Sequence, residues 1–578
     1  MMGNRECESS VAGLLERHFE VAFSAPEGVK KLRELILTLA MKGTLVPQNP
    51  NDQPASELLK EIEVEKQRLV KEGKIKPPKS LPPVRQDEVP YELPSGWEWV
   101  RLGVLTSYNF GKTPASKNPV YWSDNDGYHW ASIADMPTRG YLEETTKRVT
   151  QLAISDVFKY EPAPVGSLLM SFKLSIGKAA ITKIATYHNE AIISFVNLDQ
   201  QLKMYLFWIL FEVANSGNTK GAIKGSTLNS ESISELLIPL PPLAEQQRIV
   251  ARIDELMARC DALETLRAER EEKRVAVHAA AIKQLLDTQD ADASAKAWRF
   301  ISRNFGELYA VKENVAELRK AILQLAVMGK LVPQDPNDQP ASELLKEIEA
   351  EKQRLVKAGK IKKQKPLPPI NPDEVPYDLP KGWEWVRLGE AISYMDAGWS
   401  PKCETRPASD SEWGVLKTTA VQRLEFLPHE NKSLPIKLTP RPEYQVEEKD
   451  ILITRAGPKN RVGICCVATS VRPKLMLSDK IIRFKIYGDL IFPNYCALSL
   501  STGYCVEQIE SYKSGMAESQ MNISQEKVKR LLLPLPPLPE QHRIVARVDE
   551  LMILCDTLES QLNAKKEKQT ELLYSIMV

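Results

Sequence analysis

Arg455, Lys459, Asn460 and Arg461 fall on or beside one short polar turn, GPKNR at Gly457–Arg461. Side chains of these types suit recognition of a nucleic acid rather than bond-making. Guanidinium and carboxamide groups match the hydrogen-bonding edges of guanine and adenine, whereas ammonium groups grip phosphate. The flanking runs KDILITRA (Lys449–Ala456) and VGICCVA (Val462–Ala468) read as strands, so the turn closes a hairpin that can enter a groove. An exposed, merely solvated turn is the plainer alternative for Arg455, Lys459 and Arg461. The first half of the chain has a counterpart in SFKLSIGKAA (Ser171–Ala180), with Lys173, Ser175 and Lys178. A turn-rich stretch, GKTPASKNPVYW (Gly111–Trp122), adds Lys112, Thr113, Ser116, Lys117, Asn118 and Tyr121. Lys220, Lys402, Gln520 and Asn522 complete the DNA-contact candidates.

The sequence assembles no catalytic centre. It has no phosphate-binding loop, no G-x-G-x-x-G and no [DN]-P-P-[FY] signature. Its six histidines (18, 129, 188, 278, 429 and 542) do not cluster, and its cysteines lack zinc-ligand spacing. Catalytic, metal-binding and cofactor-binding residues are therefore expected to be absent. Lys plus Arg is 77 against 76 for Asp plus Glu, so no overall field attracts a polyanion. The longest apolar run, Tyr205–Ala214, is too short for a membrane span and contains Glu212. Without a secretory leader pattern, a reduced, cytoplasmic protein is expected.

What positions the candidates is a duplication. Residues 32–103 match 318–389 at an offset of 286, and PNDQPASELLKEIE at Pro50–Glu63 recurs unchanged at Pro336–Glu349. A second repeat has an offset of 295: PLPPLAEQQRIVARIDELMARCDALE (Pro239–Glu264) returns as PLPPLPEQHRIVARVDELMILCDTLE (Pro534–Glu559). Between the repeats lie two unlike inserts, strand-rich and broken by turn residues. A near-identical frame around divergent inserts separates a shared presenting surface from two different tasks.

The frame reads as helices and straps. Ile249, Ile253, Leu256, Cys260 and Leu263 step by four and three, as do Ile544, Val548, Leu551, Cys555, Leu558 and Leu562. This rhythm predicts a coiled-coil or helix-pair seam, and the first helix, from about residue 245 to 286, would be on the order of 60 Å long. Arg267, Arg270 and Arg274 interrupt the seam and are expected on a solvated face. Shorter helices are expected at Leu32–Met41 and Leu318–Met328, stopped by Gly43 and Gly329, and a further pair is capped near Ser56 and Ser342. Trp97 and Trp99, like Trp383 and Trp385, share a strand face and read as core anchors. Residues 287–296 read as a polar surface link.

The blocks P-L-P-P-L-x-E-Q-x-R-I-V-x-R-[IV]-D-E-L and L-x-x-x-I-L-x-L-A-x-x-G-x-L-V-P-Q, placed around two variable domains, resemble the specificity subunits of type I restriction-modification enzymes. The resemblance covers nearly the whole chain. It implies an α+β architecture in which two mixed α/β target recognition domains are separated by long antiparallel coiled-coil helices. The duplicated regions would be circularly arranged about a pseudo-twofold axis. On this sequence the parts are a lead-in at 1–26, a conserved region and strap at 27–103, and a first recognition domain at 104–236. A central conserved region at 237–389, a second recognition domain at 390–532 and a terminal helix at 533–578 follow. The resemblance implies major-groove reading of a split duplex target and a frame that holds two adenine-methyltransferase subunits. Restriction subunits would join them. S-adenosylmethionine, ATP and magnesium would belong to those partners. Gly111–Pro114 resembles a G-x-T-P element near the start of such domains, from which GWSPKC at Gly398–Cys403 departs. The competing expectation is a coiled-coil scaffold whose variable domains bind proteins or small ligands.

Overall fold

The computed structural model describes residues 25, 27–75, 77, 80–215, 228, 230–288, 290–363, 365–487 and 490–577. Lys220 lies outside the described residues, as does most of the 1–26 lead-in. The chain divides into two compact units, residues 1–268 with 566–578 and residues 269–565. Each is mixed α/β, with long helices and several sheets.

In the first unit, helix α1 (Gly28–Met41) buries Ile36, Leu37 and Ala40. Its expected stop, Gly43, has φ 69°, and a Cβ there would lie 2.5 Å from Pro94 Cγ. Both the left-handed turn and the lack of room call for glycine. Helix α2 (Ala55–Lys71) is capped by Pro54 without a side-chain bond, not by Ser56. The Ala55 N–H is satisfied instead by the Gly96 carbonyl at 2.8 Å, so no hydroxyl is needed. Strand β1 (Glu98–Arg101) leads into the first insert. There β2 (Ser107–Phe110), β3 (Arg139–Leu142), β4 (Leu168–Ser171), β5 (Ala179–Thr182) and β6 (Ile192–Val196) form a sheet in the order β2-β6-β4-β5-β3. Helix α3 (Gln200–Asn215) packs on it, burying Tyr205, Leu206, Ile209 and Leu210. Strand β7 (Leu237–Leu240) then returns to pair antiparallel with β1, Trp99 opposite Pro239. The insert is thereby closed at its neck by two frame strands, and helix α4 (Leu243–Asp287) begins just past the prolines.

The second unit repeats this plan after a helical entry. Helix α5 (Ala291–Arg303) replaces the second half of the expected polar link. Asp290 caps it by accepting from the Asp292 N–H at 3.0 Å, and Ala297 and Ile301 give it a buried face. Short helix α6 (Phe305–Leu308) precedes α7 (Lys312–Val327) and α8 (Ala341–Lys357), the counterparts of α1 and α2. Gly329 again has no room for a Cβ, and Pro340 rather than Ser342 caps α8. Strand β8 (Glu384–Arg387) opens the second insert, which contains β9 (Ile392–Ala397), β10 (Val421–Gln422), β11 (Glu425–Phe426), β12 (Ile451–Thr454), β13 (Ala456–Gly457), β14 (Cys465–Val467) and β15 (Ile481–Ile486). Helices α9 (Pro493–Leu500) and α10 (Gly503–Tyr512) and strand β16 (Met521–Asn522) follow, and β17 (Leu532–Leu535) closes the neck against β8. The expected hairpin is present: β12 and β14 pair antiparallel, with Ile453 opposite Cys465.

Helix α11 (Leu538–Met577) ends the chain. In each unit the seam packs against that unit's own short frame helix. Ile249, Ile253 and Cys260 share a core with Ile36 and Leu37 of α1, and Ile544, Val548 and Cys555 share one with Val315, Leu318 and Ile322 of α7. Leu263 is 44% exposed, so the buried part of the first seam stops at Cys260. The arginines beyond are not simply solvated. Arg270 and Arg274 both donate to Glu307, at 2.8 and 2.6 Å, and Arg267 donates to the Ala25 carbonyl at 3.1 Å. The end of α11 belongs to the first unit, where Leu573 packs with Ala25, Leu32 and Leu35.

Candidate nucleic-acid interface

The neck of each insert is fixed by the same polar braces. Trp97 Nε1 donates to Glu245 at 3.0 Å, and Trp383 Nε1 donates to Glu540 at 3.0 Å. Gln48 and Gln334 donate to the other oxygens of those carboxylates, at 2.6 and 3.2 Å. Burial raises both carboxyl pKa values, against the pull of these donors. Arg33 pairs with Asp261 and Glu264 as Arg319 pairs with Asp556 and Glu559. Inside the inserts, Tyr205 and Tyr495 each donate a phenol hydroxyl to a neck carbonyl, Pro239 at 2.7 Å and Pro534 at 2.8 Å. Trp97 and Trp383 are buried, as expected of anchors, and Trp99 and Trp385 donate to the Tyr91 and Tyr377 carbonyls.

The two inserts share a backbone path where their sequences do not match. Gly111 lies so close to the His188 carbonyl that a Cβ would sit 2.0 Å from its oxygen, and Gly398 stands in the same relation to Leu477. The next residue closes the contact: Lys112 N–H donates to His188 O at 2.9 Å, and Trp399 N–H to Leu477 O at 3.0 Å. Thr113 then donates its hydroxyl to Glu190, and Ser400 to Asp479. GWSP therefore preserves the geometry of GKTP, although the sequence departs from it. One residue beyond each carboxylate the paths stay parallel. Phe172 N–H donates to Ala191 O at 3.0 Å, and Arg455 N–H donates to Lys480 O at 2.8 Å. Leu228 N–H reaches Phe172 O, and Ile523 N–H reaches Arg455 O, both at 2.9 Å. Phe172 and Ala191 in one domain are thus matched by Arg455 and Lys480 in the other.

The candidates divide into free and engaged groups. Among the described residues, the side chains of Ser116, Lys117, Lys402, Arg455, Asn460 and Gln520 have no hydrogen-bond or ion-pair partner. Lys459 is exposed and pairs with Glu518 at 2.9 Å. Asn522 is exposed on β16, whose backbone pairs with Ala456 of β13. Ser175 is exposed, and Lys173 lies 5.5 Å over the Phe172 ring. Others serve the fold. Lys112 donates to Val157 O at 2.8 Å, Lys178 to Met136 O at 2.9 Å, Tyr121 to Asp156 at 3.3 Å, and Asn118 caps the Val120 N–H. Arg461, expected on an exposed turn, points its guanidinium inward to Gln422, Thr418 and Val421. Lys480 and Arg423 were missed, although both are exposed and unpaired among the described residues. Each is a lone cation in its stretch, Lys480 in the turn just before β15 and Arg423 in a two-residue turn, so neither forms a cluster in the sequence.

Among the described residues no group of His, Cys, Asp or Glu could hold a metal ion, and no helix is long and apolar enough to cross a membrane. An apolar groove of about 830 Å³ in the second unit is lined by Trp298, Ile301, Phe305, Leu325, Leu551 and Leu554.

Comparison with known proteins gives one family. A model described as type I restriction modification DNA specificity domain matches residues 94–272 and 380–568. The type I restriction enzyme EcoEI specificity subunit of Escherichia coli is 43% identical over 94% of this chain and 92% of its own length. The EcoAI specificity subunit of the same species is 34% identical over 94% and 92%. A solved HsdS subunit from Thermoanaerobacter tengcongensis aligns at 18% identity over 84% of this chain and 98% of that one, with a TM-score of 0.42.

Proposed function

This chain belongs to the type I restriction-modification specificity-subunit family, and from that premise we propose that its two inserts read the two halves of a split duplex target. The supporting observation is the common backbone path that ends in different side chains: Phe172 and Ala191 against Arg455 and Lys480. A conserved path presents a groove-facing loop in the same way twice, and exchanged side chains then change which bases are bound. In the second domain, Arg455 and Asn460 are the base readers, with Gln520 and Asn522 beside them, and Lys402, Lys459 and Lys480 supply phosphate contacts. In the first, Ser116, Lys117, Lys173 and Ser175 are the accessible set. The recognition domains span about 104–236 and 390–532, between frame regions at 27–103, 237–389 and 533–578.

The frame assembles the complex. Its duplicated braces give two equivalent docking faces for two modification subunits, about a pseudo-twofold axis. Restriction subunits then join, and S-adenosylmethionine, ATP and magnesium are bound by those partners. The near-identical start of the two long helices, α4 and α11, supports a helical ruler between half-sites. The exposed Trp298 and Phe305 beside the apolar groove favour a protein partner on the frame. Deleting 390–532 tests the assignment: the variant should co-purify with its modification subunits yet lose one half-site. Retained two-part specificity would overturn it.

A further inference from the structure

The β10–β11 hairpin of the second insert turns through only two residues, Arg423 and Leu424. Leu424 has φ 62°, a left-handed conformation normally left to glycine, and its N–H is held by the Cys465 carbonyl at 2.9 Å. Strain of this kind persists only where the surroundings over-determine it, and such places gather at ligand clamps. The surroundings here include an arginine. Arg461 Nη1 donates to Gln422 Oε1 at 3.1 Å, and Nη2 donates to Thr418 O at 2.7 Å and Val421 O at 2.9 Å. Its Nε is buried without a partner, so the brace is formed at a desolvation cost. Arg461 itself sits at the end of the Gly457–Arg461 turn, and its carbonyl accepts the Thr454 hydroxyl. The two turns are therefore locked together, with Arg423 exposed at the tip of one and Asn460 exposed on the other.

We propose that the Arg423–Leu424 turn is a further DNA-contacting loop of the second recognition domain, with Arg423 as the contacting group and Arg461 as the residue that positions it. The inference rests on the reading of that domain as a half-site reader. Arg423 offers a guanidinium to acceptors on the duplex, either a base edge or a phosphate. Arg461 makes no DNA contact; it holds the Arg423 turn at a fixed distance from Arg455 and Asn460.

The test uses the complete methyltransferase complex, with Arg423→Ala, Arg461→Ala and the double variant, on duplexes carrying the mapped target. Arg423→Ala should weaken binding roughly tenfold. A base contact would relax one position of one half-site; a phosphate contact would leave the motif intact and lower the salt slope by about one. Either result supports the proposal. Arg461→Ala should reproduce the same defect, and the double variant should be no worse than either single one. An unchanged motif, affinity and salt slope in Arg423→Ala would overturn it, provided the wild-type complex methylates a split target. If the wild type shows no split target, the half-site reading itself has failed. Additive effects, with Arg461→Ala acting only through a lower melting temperature, would remove Arg461 as a positioning residue.

Discussion

The Trp97 indole and the Glu245 carboxylate meet at 3.0 Å, tying the start of the first neck strand to the first turn of a 45-residue helix. Trp383 and Glu540 repeat the contact in the second unit. Each carboxylate accepts from two donors, so replacing it with glutamine leaves one donor facing an NH2 group. Glu245→Gln should destabilise the first unit by about 1–3 kcal/mol, and Glu540→Gln the second by a similar amount. Denaturant unfolding followed by unit-specific hydrogen exchange checks both.

The frame was legible because its letters repeat, and identical letters in equivalent places fold alike. The seam positions were also legible, but not their partner. A 4-3 rhythm fits any apolar helix face, and within each unit that face is a short frame helix. The site was less readable. Lys-Asn-Arg fits an exposed turn as well as a brace, and only packing shows that Arg461 points inward. Gly398 keeps the close backbone approach of Gly111, and Ser400 keeps the hydroxyl–carboxylate bond of Thr113, although Trp399 and Lys402 disguise the match in sequence. Residues 291–296 read as linker because small polar residues suit both links and capped helices; Asp290 and the buried Ala297 decide for a helix.

Gly111→Ala should remove one half-site and Gly398→Ala the other. An added Cβ would meet a backbone carbonyl oxygen at 2.0 Å in both cases, which is relieved only by moving the loop. Methylation of duplexes altered in one half-site at a time reads the outcome. Co-purification with the modification subunits should be unaffected.

Acid should loosen the first recognition domain before the second. Burial pushes the His188 imidazole down to about 4, and its carbonyl holds the Gly111–Lys112 turn. The folded state binds the proton less readily than the unfolded chain, so this stabilisation is present above about pH 6.5 and is lost as pH falls towards 4. The loss is on the order of 3 kcal/mol. Protection factors across 104–236, measured against 390–532 between pH 7 and 5, follow it, and His188→Gln should shrink the difference to the part left by His129, which burial also holds below its ordinary value.

Four residues inserted into α4 add about 6 Å of helix, or roughly two base pairs of duplex. A ruler made of this helix should then accept a longer spacer between half-sites. Selection from a library of spacer lengths measures the shift, and an unchanged optimum would remove the ruler role.

The most direct measurement is genome-wide methylation mapping in cells that express the modification subunits with this chain, with Arg455→Ala and with a 390–532 deletion. The intact chain should give one split motif, and Arg455→Ala should relax one half-site alone. The deletion should lose that same half-site while the other is kept. A continuous motif, or changes in both half-sites from the single substitution, would contradict it.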